Sequence, residues 1–199
     1  MRETLLTGIT GGIGAGKSVV SRVLALRGYT VYDCDSCAKE LMESDPALRE
    51  AVCSAAGRDL YSSGTLDRRV LAEVIFSDEA RRRNVNRVVH AAVRRDIEAL
   101  ARSCADRLLF VESAILVTSH LDEITDAIWL VTAPEPMRMQ RVMQRNPEMD
   151  AARIERRMRA QDGEFAALPA AKVTVIPNDG LHPLLEAVDA ALRRLEAAL

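Results

Sequence analysis

No apolar run in this chain approaches the roughly 20 residues that a helix needs to cross a bilayer. A membrane-spanning role is therefore not expected. The first ten residues, MRETLLTGIT, contain neither a long apolar core nor a cleavage site, so a secretory leader is not expected either, and the cytoplasm is the expected compartment. An excess of positive charge is also missing: 27 Lys and Arg stand against 29 Asp and Glu, for a net charge of −2. A general nucleic-acid binder is usually basic, so nucleic acid is not an expected partner. Cysteine is scarce, with four residues at 34, 37, 53 and 104. Cys34 and Cys37 form a C-x-x-C, but Cys53 and Cys104 supply no second pair at zinc-ligand spacing. Four reduced thiols are the simpler reading. Repeats and low-complexity tracts are absent too.

What remains is the balance of a globular protein, 48% hydrophobic and 28% charged over 199 residues, enough for one domain. Apolar segments of strand character fall at 4–10, 29–33, 107–112, 127–133 and 172–176. Helical spacing covers 17–27, 36–42, 46–56, 67–76, 78–101, 135–145, 150–161 and 183–199, with Gly28 as a stop and Pro183 in a first turn. The run RLLFVE is continuously apolar before its Glu, as strands buried on both faces are. Strands separated by helices predict an α/β fold built on a five-stranded parallel sheet covered by helices. The core is expected at about 1–45, 105–135 and 170–199. The helical stretch of about 46–101 exceeds what a crossover requires and reads as a subdomain. The charge-rich stretch of about 138–161 is a candidate lid.

The segment GITGGIGAGKSVV follows the first strand and opens the first helix. Gly11-x4-Gly16-Lys17-Ser18 is the phosphate-loop pattern in the context its mechanism demands. Glycines let backbone N–H groups converge on phosphate oxygens, and the helix start offers its positive end to the same anion. Lys17 is placed to reach the β- and γ-phosphates, and the Ser18 hydroxyl to ligate Mg²⁺. The loop residues Gly11, Gly12, Ile13, Gly14, Ala15, Gly16, Lys17, Ser18 and Val19 are the candidate nucleotide site. No Asn-Lys-x-Asp string is present to read guanine, and a motor ATPase usually needs more chain. A small-molecule kinase fits the length. Its acceptor site should lie at the carboxyl ends of the strands. Asp33 and Asp35 fall at such an end, where a carboxylate can take the proton of an attacking hydroxyl. Asp35 or Ser36 also suits the N-cap of a helix beginning near 36, which leaves Asp33 for catalysis.

Several segments together resemble the dephospho-coenzyme A kinase family. GITGGIGAGKS is similar to its first motif, YDCDSCAKEL to its Asp-x-Asp-x-x-Ala segment and GTLDRRVLAEVIFSD to its Leu-Asp-Arg helix. VNRVVHAAV resembles its His-Pro-x-Val segment, QRVMQR its lid arginines and VIPNDG its Ile-x-Asn-x-Gly. The likeness spans about residues 5 to 185. It implies that ATP phosphorylates the ribose 3′-hydroxyl of dephospho-coenzyme A, with ATP and Mg²⁺ required and the helical subdomain binding the acceptor. Asp33 would be the base, Asp35 and His90 would lie near the acceptor, and Arg141 and Arg145 would close over the phosphates. Asn178 and Gly180 would form the adenine-side loop, and Glu112 would order Mg²⁺ through water. From the residues alone, the arginines also fit a solvated helix face, His90 a helix surface, and Asn-Asp-Gly a simple turn. Two departures stand out. Ala91 replaces the family's proline after His90. In ESAILVTSHLDE, Glu112 replaces the first Asp of the family pattern and Thr118 its last Glu. Another P-loop kinase, acting on a nucleoside, nucleotide or shikimate-like acceptor, is the alternative, as is a nucleotide-binding regulatory paralogue. Oligomeric state is not legible.

Overall fold

The computed structural model describes residues 4–197. The last two residues of the closing helix expected at 183–199 lie outside this range. Five strands occur: β1 (Leu5–Thr10), β2 (Thr30–Asp33), β3 (Leu108–Glu112), β4 (Ala127–Thr132) and β5 (Val173–Pro177). They form one sheet in the order β2-β3-β1-β4-β5. β1 runs parallel to β3 and β4, with Ile9 opposite both Glu112 and Trp129, and β4 runs parallel to β5. The helices are α1 (Lys17–Leu26), α2 (Cys34–Ser44), α3 (Pro46–Ala56), α4 (Arg68–Ser77), α5 (Glu79–Ser103), α6 (Glu135–Arg145), α7 (Ala151–Arg159), α8 (Asp162–Ala166) and α9 (Leu184–Glu196). Among the described residues, no helix is long and apolar enough to cross a membrane.

The chain divides into two compact units, one of residues 1–32 and 101–199 and one of residues 33–100. In the first, Ile9, Phe110, Trp129, Val131 and Ile176 from four strands meet Val20 and Leu24 of α1. Val188, Ala191, Leu192 and Leu195 of α9 join the same cluster, at the i, i+3, i+4, i+7 spacing of one helix face. Phe110 packs on Trp129 at 5.2 Å and edge-on to Tyr29 at 5.5 Å, geometries that aromatic quadrupoles favour. Burying each such side chain contributes about 2–3 kcal/mol. This core makes the sheet a rigid platform for the loop that leaves β1.

The second unit has its own core of Leu48, Val52, Ala56, Leu60, Val70, Val74, Val85 and Ala92. Its helices begin where the sequence supplies caps. Asp45 accepts from Ala47 and Leu48 ahead of Pro46, and Asp67 accepts from Arg69 and Val70.

One expectation needs correction. α2 begins at Cys34, and Asp33, rather than Asp35 or Ser36, is its N-cap. β2 ends with Asp33 still extended (φ −87°, ψ 105°), so the chain turns helical one residue later and the nearest Asx side chain takes the cap. Asp35 lies inside the first turn, where a carboxylate complements the helix dipole.

Candidate active site

The loop after β1 is held by contacts that leave no room for side chains. Gly14 has φ +79°, and a Cβ there would lie 2.5 Å from the Arg138 carbonyl oxygen. Gly16, at φ +100°, is the N-cap of α1 and abuts the Asn178 amide. Both positions are left-handed and crowded, which is where glycine is required. No side chain caps α1, so the donors of its first turn are not taken by one. This is a ready anion site. Lys17 Nζ donates to the Gly11 carbonyl at 2.8 Å, so its ammonium is folded back to the start of the loop. Ala15 is buried, while Ser18 and Val19 are exposed on the first turn of α1. Ile13 packs its side chain on the cluster of Val142, Met149, Ile154 and Met158 from α6 and α7, together with the turn that joins them. Its N–H donates to Gln161 Oε1 at 2.8 Å.

Arg141 lies against the loop's carbonyl side. Its Nη1 donates to the Gly14 and Ala15 carbonyls at 3.3 and 3.4 Å, and its Nη2 to the Asn178 carbonyl at 3.1 Å. Asn178 Nδ2 donates to the Ala15 carbonyl at 2.8 Å, and its N–H continues the β4–β5 ladder to Thr132 at 2.7 Å. Arg141 and Asn178 therefore brace one loop from outside. Gly180 follows at φ +79° in the turn after β5. The next carboxylate back, Asp179, accepts the His182 backbone N–H, the His182 ring and the Leu181 N–H. These bonds hold its pKa down to about 2 and keep it ionised at neutral pH. Arg145 is exposed in the last turn of α6. Glu112 ends β3, half-buried.

In the other unit, Asp33 Oδ1 accepts the N–H groups of Asp35 and Ser36 at 3.0 and 3.4 Å, and its Oδ2 accepts the Ser36 hydroxyl at 2.8 Å. The carboxylate is exposed. Asp35 is exposed on the same turn, and His90 is half-buried in the middle of α5, followed by Ala91 within the continuous helix.

With this geometry in place, the dephospho-CoA kinase family model matches residues 5–183. The chain belongs to the dephospho-CoA kinase family. A dephospho-CoA kinase of Porphyromonas gingivalis is 39% identical over 181 residues, covering 91% of this chain and 89% of that protein. One of Moorella thermoacetica is 37% identical over 200 residues, covering 98% and 93%. A solved protein from Thermus thermophilus matches with a TM-score of 0.77 at 32% identity, covering 98% of each chain.

Within the family frame, Thr118 is the departure with a structural answer. Its N–H donates to Glu164 Oε2 at 3.1 Å and its hydroxyl donates to the same oxygen at 2.6 Å, while Val117 N–H donates to Oε1. Glu164 is 7% exposed. A carboxylate is thus present beside position 118, brought by α8 from 46 residues away. Sequence reasoning missed Glu164 and Gln161 because α8 is too short to show a periodicity. It also missed Arg138, for which a signal existed: residues 138, 141 and 145 fall on one helical stripe.

Proposed function

We propose that this chain transfers the γ-phosphate of ATP to the 3′-hydroxyl of the ribose in dephospho-coenzyme A, giving coenzyme A and ADP, the last step of coenzyme A biosynthesis, in the cytoplasm. The observation that carries this reading is the family match over residues 5–183, which takes in the acceptor-side segments as well as the phosphate loop. A phosphate loop alone does not choose an acceptor, because one fold hosts many functions.

In this reading the loop amides and the start of α1 hold the phosphates, and the Lys17 ammonium moves from the Gly11 carbonyl onto the β- and γ-oxygens. Asp33 orients the ribose hydroxyl and takes its proton. The 3′-oxygen bonds to the γ-phosphorus as the bond to the β-γ bridging oxygen breaks, and ADP leaves with that electron pair. Arg141 and Asn178 keep the loop in shape from its carbonyl side. Arg145, on the last turn of α6, belongs to the lid of residues 138–161, whose closure excludes water. Gly180 and Asn178 border the adenine, and Asp35 and His90 belong to the acceptor side, Asp35 at the start of α2 and His90 within the helical subdomain of about 46–101.

Mg²⁺ suits the donors available. Among the described residues there is no group of three or more His, Cys, Asp or Glu that could hold a metal. Magnesium in kinases needs none, since nucleotide phosphates and water supply most of its octahedron. The Ser18 hydroxyl and the Glu112 carboxylate, directly or through water, are the hard oxygen ligands this chain would add. When bound, the ion neutralises charge on the β- and γ-oxygens. Chelation of divalent cations is expected to abolish turnover, and added Mg²⁺ to restore it.

The test is ADP release by purified protein with ATP, Mg²⁺ and one acceptor at a time: dephospho-coenzyme A, nucleosides, nucleotides and shikimate. Turnover on dephospho-coenzyme A at least 10²-fold above every other acceptor is expected. Faster turnover on another acceptor, or slow ATP hydrolysis indifferent to all of them, overturns the reading.

A further inference from the structure

Arg138 and Arg141 lie one turn apart on α6 and do different things. Arg141 directs its donors to the carbonyls of Gly14, Ala15 and Asn178, as bracing requires. The Arg138 backbone N–H donates to the Pro134 carbonyl in the first turn of α6. Its Nη1 rests against Gly12, where an added Cβ would push the guanidinium aside. Its Nε is buried with no hydrogen-bond partner, and no carboxylate among the described residues pairs with the guanidinium. A donor so placed stays unsatisfied until an acceptor oxygen reaches it. The side chain also lines a cavity of about 220 Å³ with Gly12, Ala15, Val131, Thr132 and Phe165. The opening beside the loop is therefore walled by backbone and apolar groups and carries one positive charge.

Lys17 tells which end of the loop this is. Its Nζ lies on the Gly11 carbonyl, one residue from Gly12. A phosphate-loop lysine serves the β- and γ-phosphates, so Gly11 and Gly12 mark the γ end. We propose that Arg138 is the arginine that contacts the transferred phosphoryl group, and that Arg141 shapes the loop without touching that group. This rests on the ATP-dependent kinase reading above. The guanidinium fork matches the equatorial oxygens of a phosphoryl group in flight. Arg138 exchanges no proton; it offsets the negative charge that spreads over those oxygens, and an arginine supplied within the chain does this without a partner protein.

The test uses the full chain, with ATP and ADP affinities from calorimetry and the rate of the first turnover. Arg138→Met keeps the stem on Gly12 and removes the charge. It is expected to leave the ADP dissociation constant within twofold, to weaken ATP by about tenfold or more, the scale of a charged hydrogen bond, and to slow phosphoryl transfer at least 10²-fold. Arg138→Lys should recover part of the ATP affinity and little of the rate. Arg141→Met should weaken ATP and ADP together and lower Tm. ATP affinity and rate within threefold of wild type in a folded Arg138→Met overturn the assignment, as does equal loss of ATP and ADP. If that variant does not fold, Arg138→Lys decides: a full wild-type rate overturns the assignment. Should the wild type transfer nothing to dephospho-coenzyme A, the kinase reading fails, and the ATP-to-ADP affinity ratio of Arg138→Met still decides the contact.

Discussion

Asp33 caps α2 through its carboxylate, and asparagine caps a helix about as well as aspartate. Asp33→Asn therefore leaves the helix start in place and removes only the basic oxygen. It is expected to slow turnover by about 10²–10⁴, the worth of a general base, with the ATP dissociation constant within about threefold. Asp33→Ala loses the cap as well, at about 1 kcal/mol of stability. Parallel loss of ATP affinity and rate in the asparagine variant would instead make Asp33 a ligand of the nucleotide or its metal. Lys17→Ala is expected to fold normally, because alanine suits the first position of α1 and leaves its N-cap at Gly16 in place. Its turnover should fall at least 10²-fold, as when a preorganised charge partner is removed. Near-normal turnover would exclude Lys17 from the reaction. Lys17 was legible because its surroundings are local in sequence. Arg138 was not singled out, because a charge stripe on a helix reads equally as a solvated face until the loop it meets is known.

At the scale of elements, α3 and α6 fall on the residues the sequence indicated, Pro46–Ala56 and Glu135–Arg145. Each opens with proline in its first turn, and α3 stops at Gly57 with φ +63°. α2 starts two residues early because two acidic residues competed for one cap, and the end of β2 decided between them. α8 and the 3₁₀ turn at Ala170–Lys172 had no pattern long enough to read. Yet α8 delivers Gln161, at its N-cap, to the phosphate loop and Glu164 to the Val117–Thr118 turn. Glu164→Ala takes the acceptor from three donors, of which the two on exposed Thr118 can turn to water, so a loss of about 1 kcal/mol is expected in urea denaturation. A change under about 0.5 kcal/mol would mean that water replaces the carboxylate freely. α6 and α7 share the small cluster of Val142, Met149, Ile154 and Met158 with Ile13, so the candidate lid is packed on the loop it is proposed to cover. Hydrogen exchange over residues 138–161 should slow when ATP binds. Equal exchange with and without ATP would remove the lid from the account.

For the whole molecule, the order β2-β3-β1-β4-β5 puts the phosphate-loop strand in the centre, flanked on both sides by parallel neighbours. The sequence showed five apolar segments and the helices between them, which is enough for the fold class. Strand order follows from contacts across about a hundred residues and was not readable. The acceptor was readable only through the family resemblance, since no local pattern around Asp33 or His90 encodes a ribose. The most direct measurement is therefore the structure of the product. Dephospho-coenzyme A, ATP and Mg²⁺ incubated with the chain and followed by ³¹P NMR should yield one new phosphomonoester on the ribose 3′-carbon for each ADP formed. A phosphate at any other position, or ADP accumulating with dephospho-coenzyme A unchanged, would contradict the account.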